Sequence, residues 1–273
     1  MIHFCSFKRH SRHVRILCFS AGWLLISALM SGPVWGNDGY VIMMPAFNTA
    51  DEGSHWMRVS HRFNGPISND LLRDSFGMDQ GSRVRLQWDW AATRNRQFSL
   101  SRTSPTGIIE ASWRENWWLS QDNRWRLLSV LGTSIQTGQK EGRDGRENSV
   151  NLDLMMGYQS DPITLTTGIR AASQTNPGFA GESEGSLGAQ LAATANWNSR
   201  HAASLELLQP MAGFRGSNRN PRIVAAWDIN TGFHRFRITL SNHRDLNSHE
   251  VLAPLAMPDS RDAYAGFVIS RRF

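Results

Sequence analysis

Between Ser82 and Ala92 the chain alternates with period two. Val84, Leu86, Trp88 and Trp90 take every second position, and Arg83, Arg85, Gln87 and Asp89 take the positions between them. An α-helix would scatter these residues around its axis, whereas a strand sends them to opposite faces. A face of four large apolar groups backed by a face of charges leaves two solutions. In a soluble sandwich the apolar face is the core and the charges meet water. In a transmembrane barrel the apolar face meets lipid and the charges line the lumen. The local pattern is the same in both, so the rest of the chain has to decide.

The pattern recurs along the whole chain. Candidate strands run over His55–Phe63, Ser82–Ala92, Gln97–Arg102, Ile109–Leu119, Arg124–Ile135 and Val150–Tyr158. Six more follow over Ile163–Ala171, Leu187–Trp197, Ala203–Leu208, Arg222–Ile229, His234–Asn242 and Ala263–Phe273. Leu71–Phe76 reads as a helical turn or small plug element. Short connections such as Asp161-Pro162 and Asn198-Ser199-Arg200 alternate with long polar ones, 136–148 and 173–185. Up-and-down membrane barrels show this asymmetry together with an even strand number. The last run places Ala265, Phe267, Ile269 and the terminal Phe273 on one face, and Gly266, Val268, Ser270 and Arg272 on the other. It resembles the closing strand of a bacterial outer-membrane β-barrel. Several tryptophans, among them Trp88, Trp90, Trp117, Trp125, Trp197 and Trp227, sit near strand ends beside polar residues, as interfacial aromatic girdles require.

The beginning of the chain points the same way. Lys8, Arg9, Arg12 and Arg15 precede an apolar run from Ile16 to Met30 and then Gly-Pro-Val-Trp-Gly, the anatomy of a secretory signal peptide. The alternative is a retained membrane helix, but a run of roughly 15 residues falls short of the ~20 that span a bilayer. We therefore expect 1–36 to be a cleaved signal peptide and 37–273 a single barrel domain. Residues 37–54 form a leader that lies in the periplasm or plugs the lumen. Both cysteines, Cys5 and Cys18, fall in the signal, so the mature chain has no disulfide and no thiol nucleophile. The formal charge of +6 shrinks to near neutrality once the four signal bases are removed, which takes away the main support for a nucleic-acid partner. Lysine occurs only at Lys8 and Lys140. Nearly every base is thus arginine, the residue of fixed, paired roles.

These features predict an all-β fold, a single antiparallel up-and-down transmembrane β-barrel of about 12 strands in a Gram-negative outer membrane. Hydrocarbon offers no partner for a free backbone N–H or C=O, so the last strand must pair with the first. Closure should join Ala263–Phe273 to His55–Phe63, with Phe267, Ile269 and Phe273 on the closing strand.

Several short stretches are similar to a family of bacterial outer-membrane β-barrels catalogued as a domain of unknown function. They are His61-Arg62-Phe63, Phe76-Gly77-Met78-Asp79, Ser101-Arg102-Thr103, Thr231-Gly232-Phe233-His234-Arg235-Phe236 running to Ser241-Asn242, and Gly266-Phe267-Val268-Ile269-Ser270-Arg271. The family usually shows Gly after the first His-x-Phe and Gly-Gly before the later His, where this chain has Asn64 and Phe233. The resemblance implies the barrel and its location and carries no activity with it.

Parity assigns Arg58, Arg62, Arg83, Arg85, Asp89, Asp153, Arg170, Asp228, Arg235 and Arg237 to the lumen. Such a lining could select small polar or anionic solutes, as charged rings do in pores, or could be a paired network filling a narrow, non-conducting tube. A porin-like channel is the leading expectation and a structural or envelope-binding barrel the alternative. His55, His61, His201, His234, His243 and His249 show no ligand spacing for a metal, and no cofactor is expected. Ser241-Asn242-His243 and Ser248-His249 supply residue types for a membrane-embedded lipid hydrolase without the spatial arrangement a nucleophile and base need. No catalytic residue is assigned. Expected partners are outer-membrane lipids, the barrel-assembly machinery during biogenesis and a small polar solute. Nothing in the sequence sets an oligomeric state.

Overall fold

A computed structural model describes residues 38–67, 75–137, 147–173, 185–213, 220–231, 233–248, 250–252 and 262–273. The expected signal peptide 1–36, most of the two long loops and His249 lie outside the described residues.

Twelve antiparallel strands close into one barrel, each bonded to its sequence neighbours. They are β1 (His55–Phe63), β2 (Ser82–Thr93), β3 (Arg96–Ser104), β4 (Ile108–Leu119), β5 (Trp125–Gln136), β6 (Glu147–Ser160), β7 (Ile163–Ser173), β8 (Gly185–Asn196), β9 (His201–Ala212), β10 (Arg222–Asn230), β11 (His234–Ser241) and β12 (Tyr264–Arg272). Each candidate strand of the sequence corresponds to one of them. Of the proposed helical turn at Leu71–Phe76, residues 71–74 lie outside the described part. A 3-10 helix covers Ser75–Gln80.

The closing pair is β1 with β12, with Val59 opposite Ile269 and His61 opposite Phe267. Past the end of β12 the N–H of Phe273 donates to the His55 carbonyl at 2.9 Å. Gly266 sits in this seam, and a Cβ there would come within 2.5 Å of the His61 carbonyl oxygen. At the seam the His61 and Phe267 rings stack, with centroids 4.9 Å apart.

Outside, the wall is apolar. Leu86, Leu131, Leu154, Leu205 and Ile238 are exposed large hydrophobics that a water-soluble protein would cover. This is the inversion that the alternation of β2 allows. The β2–β3, β4–β5, β6–β7, β8–β9 and β10–β11 connections, the start of β1 and the end of β12 lie at one end of the barrel, called here the terminal end. Trp117, Trp118, Trp125, Trp197 and Trp227 are exposed in the half of the wall nearer that end. A register shift between Asn116 and Trp118 lets both Trp117 and Trp118 face outward. Strand β9 continues through Pro210, which cannot donate to a ladder. The neighbouring register shift at Leu187/Gly188 accommodates it.

Candidate functional site

Two segments of the chain occupy the interior. Residues 38–50 fold as a tight hairpin that enters the lumen from the terminal end. Tyr40 and Pro45 are bridged, the Val41 N–H donates to the Met44 carbonyl at 2.9 Å, and the Ala46 N–H donates to the Gly39 carbonyl at 2.9 Å. Gly39 has φ +82°, the left-handed conformation this reversal needs.

Three kinds of contact fix the hairpin. At its base the buried Asp38 carboxylate lies 3.1 Å from Arg58 Nη2 and 3.0 Å from Arg235 Nη1. It also accepts a hydrogen bond from Ser270 at 2.9 Å. Burial alone would raise its pKa, but Arg58, Arg235 and Arg237 outweigh that and hold the carboxyl below the usual range. At the tip, Oε1 of Glu206 near the middle of β9 accepts the N–H groups of Ile42, Met43 and Met44 at 2.7, 2.8 and 2.7 Å. Successive amides converging on one anion form a nest. Across both arms, Arg114 on β4 donates to the carbonyls of Gly39, Ala46, Phe47 and Asn48 at 2.6 to 3.2 Å. Arg237 Nη1 donates to the Ile42 carbonyl at 3.3 Å.

The wall is shaped for this occupant. Leu128, Val130, Met155, Ala192, Val224 and Ala226 face inward and pack with Val41, Ile42, Met44 and Ala46 in one buried cluster. A water-filled channel has no need of inward leucine and methionine. Phe47 sits against Gly157, where a Cβ would meet its ring at 2.7 Å, and Arg126 lies over the same ring, 5.0 Å from the centroid.

A second segment enters from the opposite end. After β11, residues 242–248 and the 3-10 helix Glu250–Leu252 turn into the lumen. Arg62 donates to Ser241 Oγ and to the carbonyls of His243 and Asp245 at 3.2 to 3.3 Å. Arg83 pairs with Asp245 at 3.1 Å, and Arg222 donates to the Val251 carbonyl at 3.2 Å. Leu252 is buried over Gly188, where a Cβ would meet it at 2.7 Å. Met43 at the leader's tip packs on the cluster holding Val251 and Leu252 as well as on its own. Between the two segments remains a cavity of about 20 Å³, room for about one water, lined in part by Met43, Glu206, Arg170, Arg222 and His243.

The ten residues assigned to the lumen by parity all have their contacts inside the barrel, and they divide into two groups. Arg58, Asp89, Asp228, Arg235 and Arg237 surround the base of the leader. Asp228 pairs with Arg235 at 3.1 Å and Arg237 at 2.5 Å, and Asp89 accepts from Gln87 at 2.7 Å and Ser99 at 2.5 Å. Arg62, Arg83, Arg85, Asp153 and Arg170 surround the second segment. Arg85 reaches Glu110 at 3.2 Å, and Arg170 reaches Asp153 at 2.6 Å.

Asp38, Arg114 and Glu206 escaped the sequence reading. Glu206 and Arg114 stand at inward parity in their strands, so alternation could have found them. Asp38 precedes the first strand, where alternation says nothing. Ser241 and His243 do not form a nucleophile–base pair, because Ser241 Oγ bonds the His243 backbone at 2.7 and 3.0 Å. Burial pushes the His243 imidazole well below its ordinary pKa, and the neighbouring Arg62, Arg222 and Arg83 add to the shift.

No curated protein matches the sequence. Among solved structures the barrel is similar to the NanC porin, with TM-score 0.53, 8% identity, and 79% of this chain and 98% of that one covered. At that identity the likeness is one of fold. Other matches are the translocator domain of the autotransporter NalP from Neisseria meningitidis (TM-score 0.44, 12% identity, 96% and 98% covered) and the outer membrane phospholipase A from Escherichia coli (TM-score 0.34, 7% identity, 81% and 92% covered). A model of the family described as "Membrane bound beta barrel domain (DUF5777)" matches residues 37–154 and 171–273. That span takes in the hairpin in the lumen as well as the strands around it, and the chain belongs to this family of membrane-bound β-barrels.

Proposed function

We propose that this chain is an outer-membrane β-barrel whose lumen is held shut at rest by its own leader, and that it acts as a gated, porin-like passage for small polar or anionic solutes. The supporting observation is how the leader is attached. It enters from the terminal end, and only the exposed link 51–53 joins it to β1. Its withdrawal therefore breaks no strand pairing, and the lumen left behind is lined by Arg58, Arg114, Arg235 and Arg237. The location rests on the family and on the exposed apolar wall. With the hairpin docked, Val41, Ile42, Met44 and Ala46 pack against inward apolar side chains of the wall, so a constitutive channel is the weaker form of the porin-like expectation.

The buried apolar cluster around Val41, Ile42 and Met44 favours a second reading, a permanently non-conducting barrel with the leader as its core. Planar-bilayer recording separates the two. Folded full-length protein should be silent or nearly so, and protein cut in the 51–53 link and washed free of its leader should show stepwise conductance. Silence after removal of the leader would overturn the gated channel and leave the non-conducting barrel.

A further inference from the structure

The leader is held mostly by groups that read a main chain. Glu206 takes three consecutive amides, which any residues but proline supply at a turn. Arg114 takes carbonyls from both arms of the hairpin. Gln97 adds an Oε1 that accepts the Ala50 N–H at 3.2 Å. Beside these backbone contacts and the apolar packing of Val41, Ile42, Met44 and Ala46, the side chains of Asp38, Tyr40 and Phe47 each meet a specific partner. The Asp38 carboxylate sits between two arginines and Ser270. Tyr40 donates to or accepts from Ser99 at 2.9 Å and lies under Arg58, 3.9 Å from the ring centroid. Phe47 fills the niche over Gly157.

A site that binds backbone at many points and one acid firmly is built like a peptide receptor, with its ligand supplied in cis. An empty lumen would leave Arg58 without the carboxylate it faces and would expose Leu128, Met155 and Val224 to water. We propose that the half of the lumen nearer the terminal end is a binding site for short acidic peptides that fold into a turn, and that residues 38–50 occupy it as a tethered ligand. The motif it selects is an acidic residue, an aromatic two positions later and a tight turn after that. This rests on the leader being a removable occupant, as in the gated reading, and it names what replaces it.

The test uses the full chain folded in detergent micelles, with a protease site inserted between Glu52 and Gly53 and cut after folding. The probe is a fluorescein-labelled synthetic peptide of residues 38–50, followed by anisotropy. Saturable uptake by cut protein is expected, with none by uncut protein. Unlabelled D38N peptide should compete roughly a hundredfold less well, since it leaves Arg58 without its ion-pair partner. A scrambled peptide should not compete. A chain beginning at Asp51 gives a second receptor wherever its unheated gel mobility shows a closed barrel.

The proposal is overturned if the probe binds neither receptor while the barrel is folded, or if D38N and scrambled peptides compete as well as the native one. Conductance is read separately. A cut barrel that binds peptide but passes no current sinks the gate and keeps the site, and one that conducts without binding does the reverse.

Discussion

Replacing Asp38 by asparagine removes one charge and almost no volume from the base of the leader. The carboxylate is fully buried and faces Arg58 at 3.1 Å and Arg235 at 3.0 Å. At an effective dielectric of ~20, each pair at that separation attracts by about 5 kcal/mol before desolvation is counted. Desolvation takes back much of that. Experience with buried pairs sets the cost of removing one partner at about 3–5 kcal/mol, because the other charge stays behind unpaired. Arg235 keeps Asp228 as a partner, while Arg58 has no second carboxylate in an ion pair with it among the described residues. The penalty therefore falls on Arg58 and on leader docking, and it weakens docking by about two to three and a half orders of magnitude. The strand ladders around it are untouched. Hydrogen–deuterium exchange with mass-spectrometric readout checks this directly, because the N–H groups of Ile42, Met43 and Met44 are protected by Glu206 only while the leader is docked. Protection over 39–46 should fall by roughly a hundredfold or more, with β6 and β7 unchanged. A fall of less than about threefold would refute the electrostatic account of docking. A parallel loss in β6 and β7 would refute the separation of leader and barrel into distinct units.

Three further outcomes follow from the same geometry. Glu206→Ala leaves three N–H groups of the leader's tip without an acceptor, at a cost of roughly 3 kcal/mol or more; protease cutting within 38–50 should accelerate in the folded protein. Gly157→Val puts a side chain where Phe47 packs, so the barrel should still reach its closed, fast-migrating form on unheated gels while a fluorescent label on the leader becomes accessible to a water-soluble quencher. Docking should also weaken in acid. Asp38 is held below the ordinary carboxylate range by Arg58, Arg235 and Arg237 against the opposing effect of burial, so its contribution is complete above about pH 4 and is lost as the pH falls below that. Leader protection measured from neutral pH downward should drop in that window, with a shallower slope in D38N.

The wall was legible because a barrel obeys one rule at every position. Parity alone sorts Val84, Leu86 and Trp88 to lipid and Arg83, Arg85 and Asp89 to the interior, and the same rule applied to the last strand finds its partner in the first. The rule lost accuracy where backbone geometry departs from it. The sequence places a strand over Ala203–Leu208, whereas β9 runs on through Pro210 to Ala212, with a register shift where it pairs with Leu187 and Gly188. It had no purchase on the hairpin at 38–50 or on 242–252, since both are irregular chain whose place is set by what surrounds them. One trace of the plug was present. Leu128, Met155 and Val224 stand at inward parity, and apolar groups facing a lumen imply something apolar inside it.

The shortage of lysine also has its explanation in the lumen. The expected role for so many arginines was pairing with carboxylates, and Arg170 with Asp153 or Arg237 with Asp228 fit it. Arg114 and Arg62 do something else. Each spreads its donors over several main-chain carbonyls of an inserted segment, a task suited to a rigid fork of five N–H groups and ill suited to a single ammonium. On the reading proposed above, a lumen lined this way would hold peptide as well as present a field to passing ions. The two inserted segments differ in what they can do next. Residues 242–252 are tethered on both sides, to β11 and β12, so that segment can hinge but cannot leave. The leader joins β1 through the 51–53 link and touches the other segment through Met43. A disturbance of 242–252 would thus reach the leader at its tip, where three hydrogen bonds converge on Glu206, and in the gated reading proposed above release of the leader would open the terminal end without unzipping a strand.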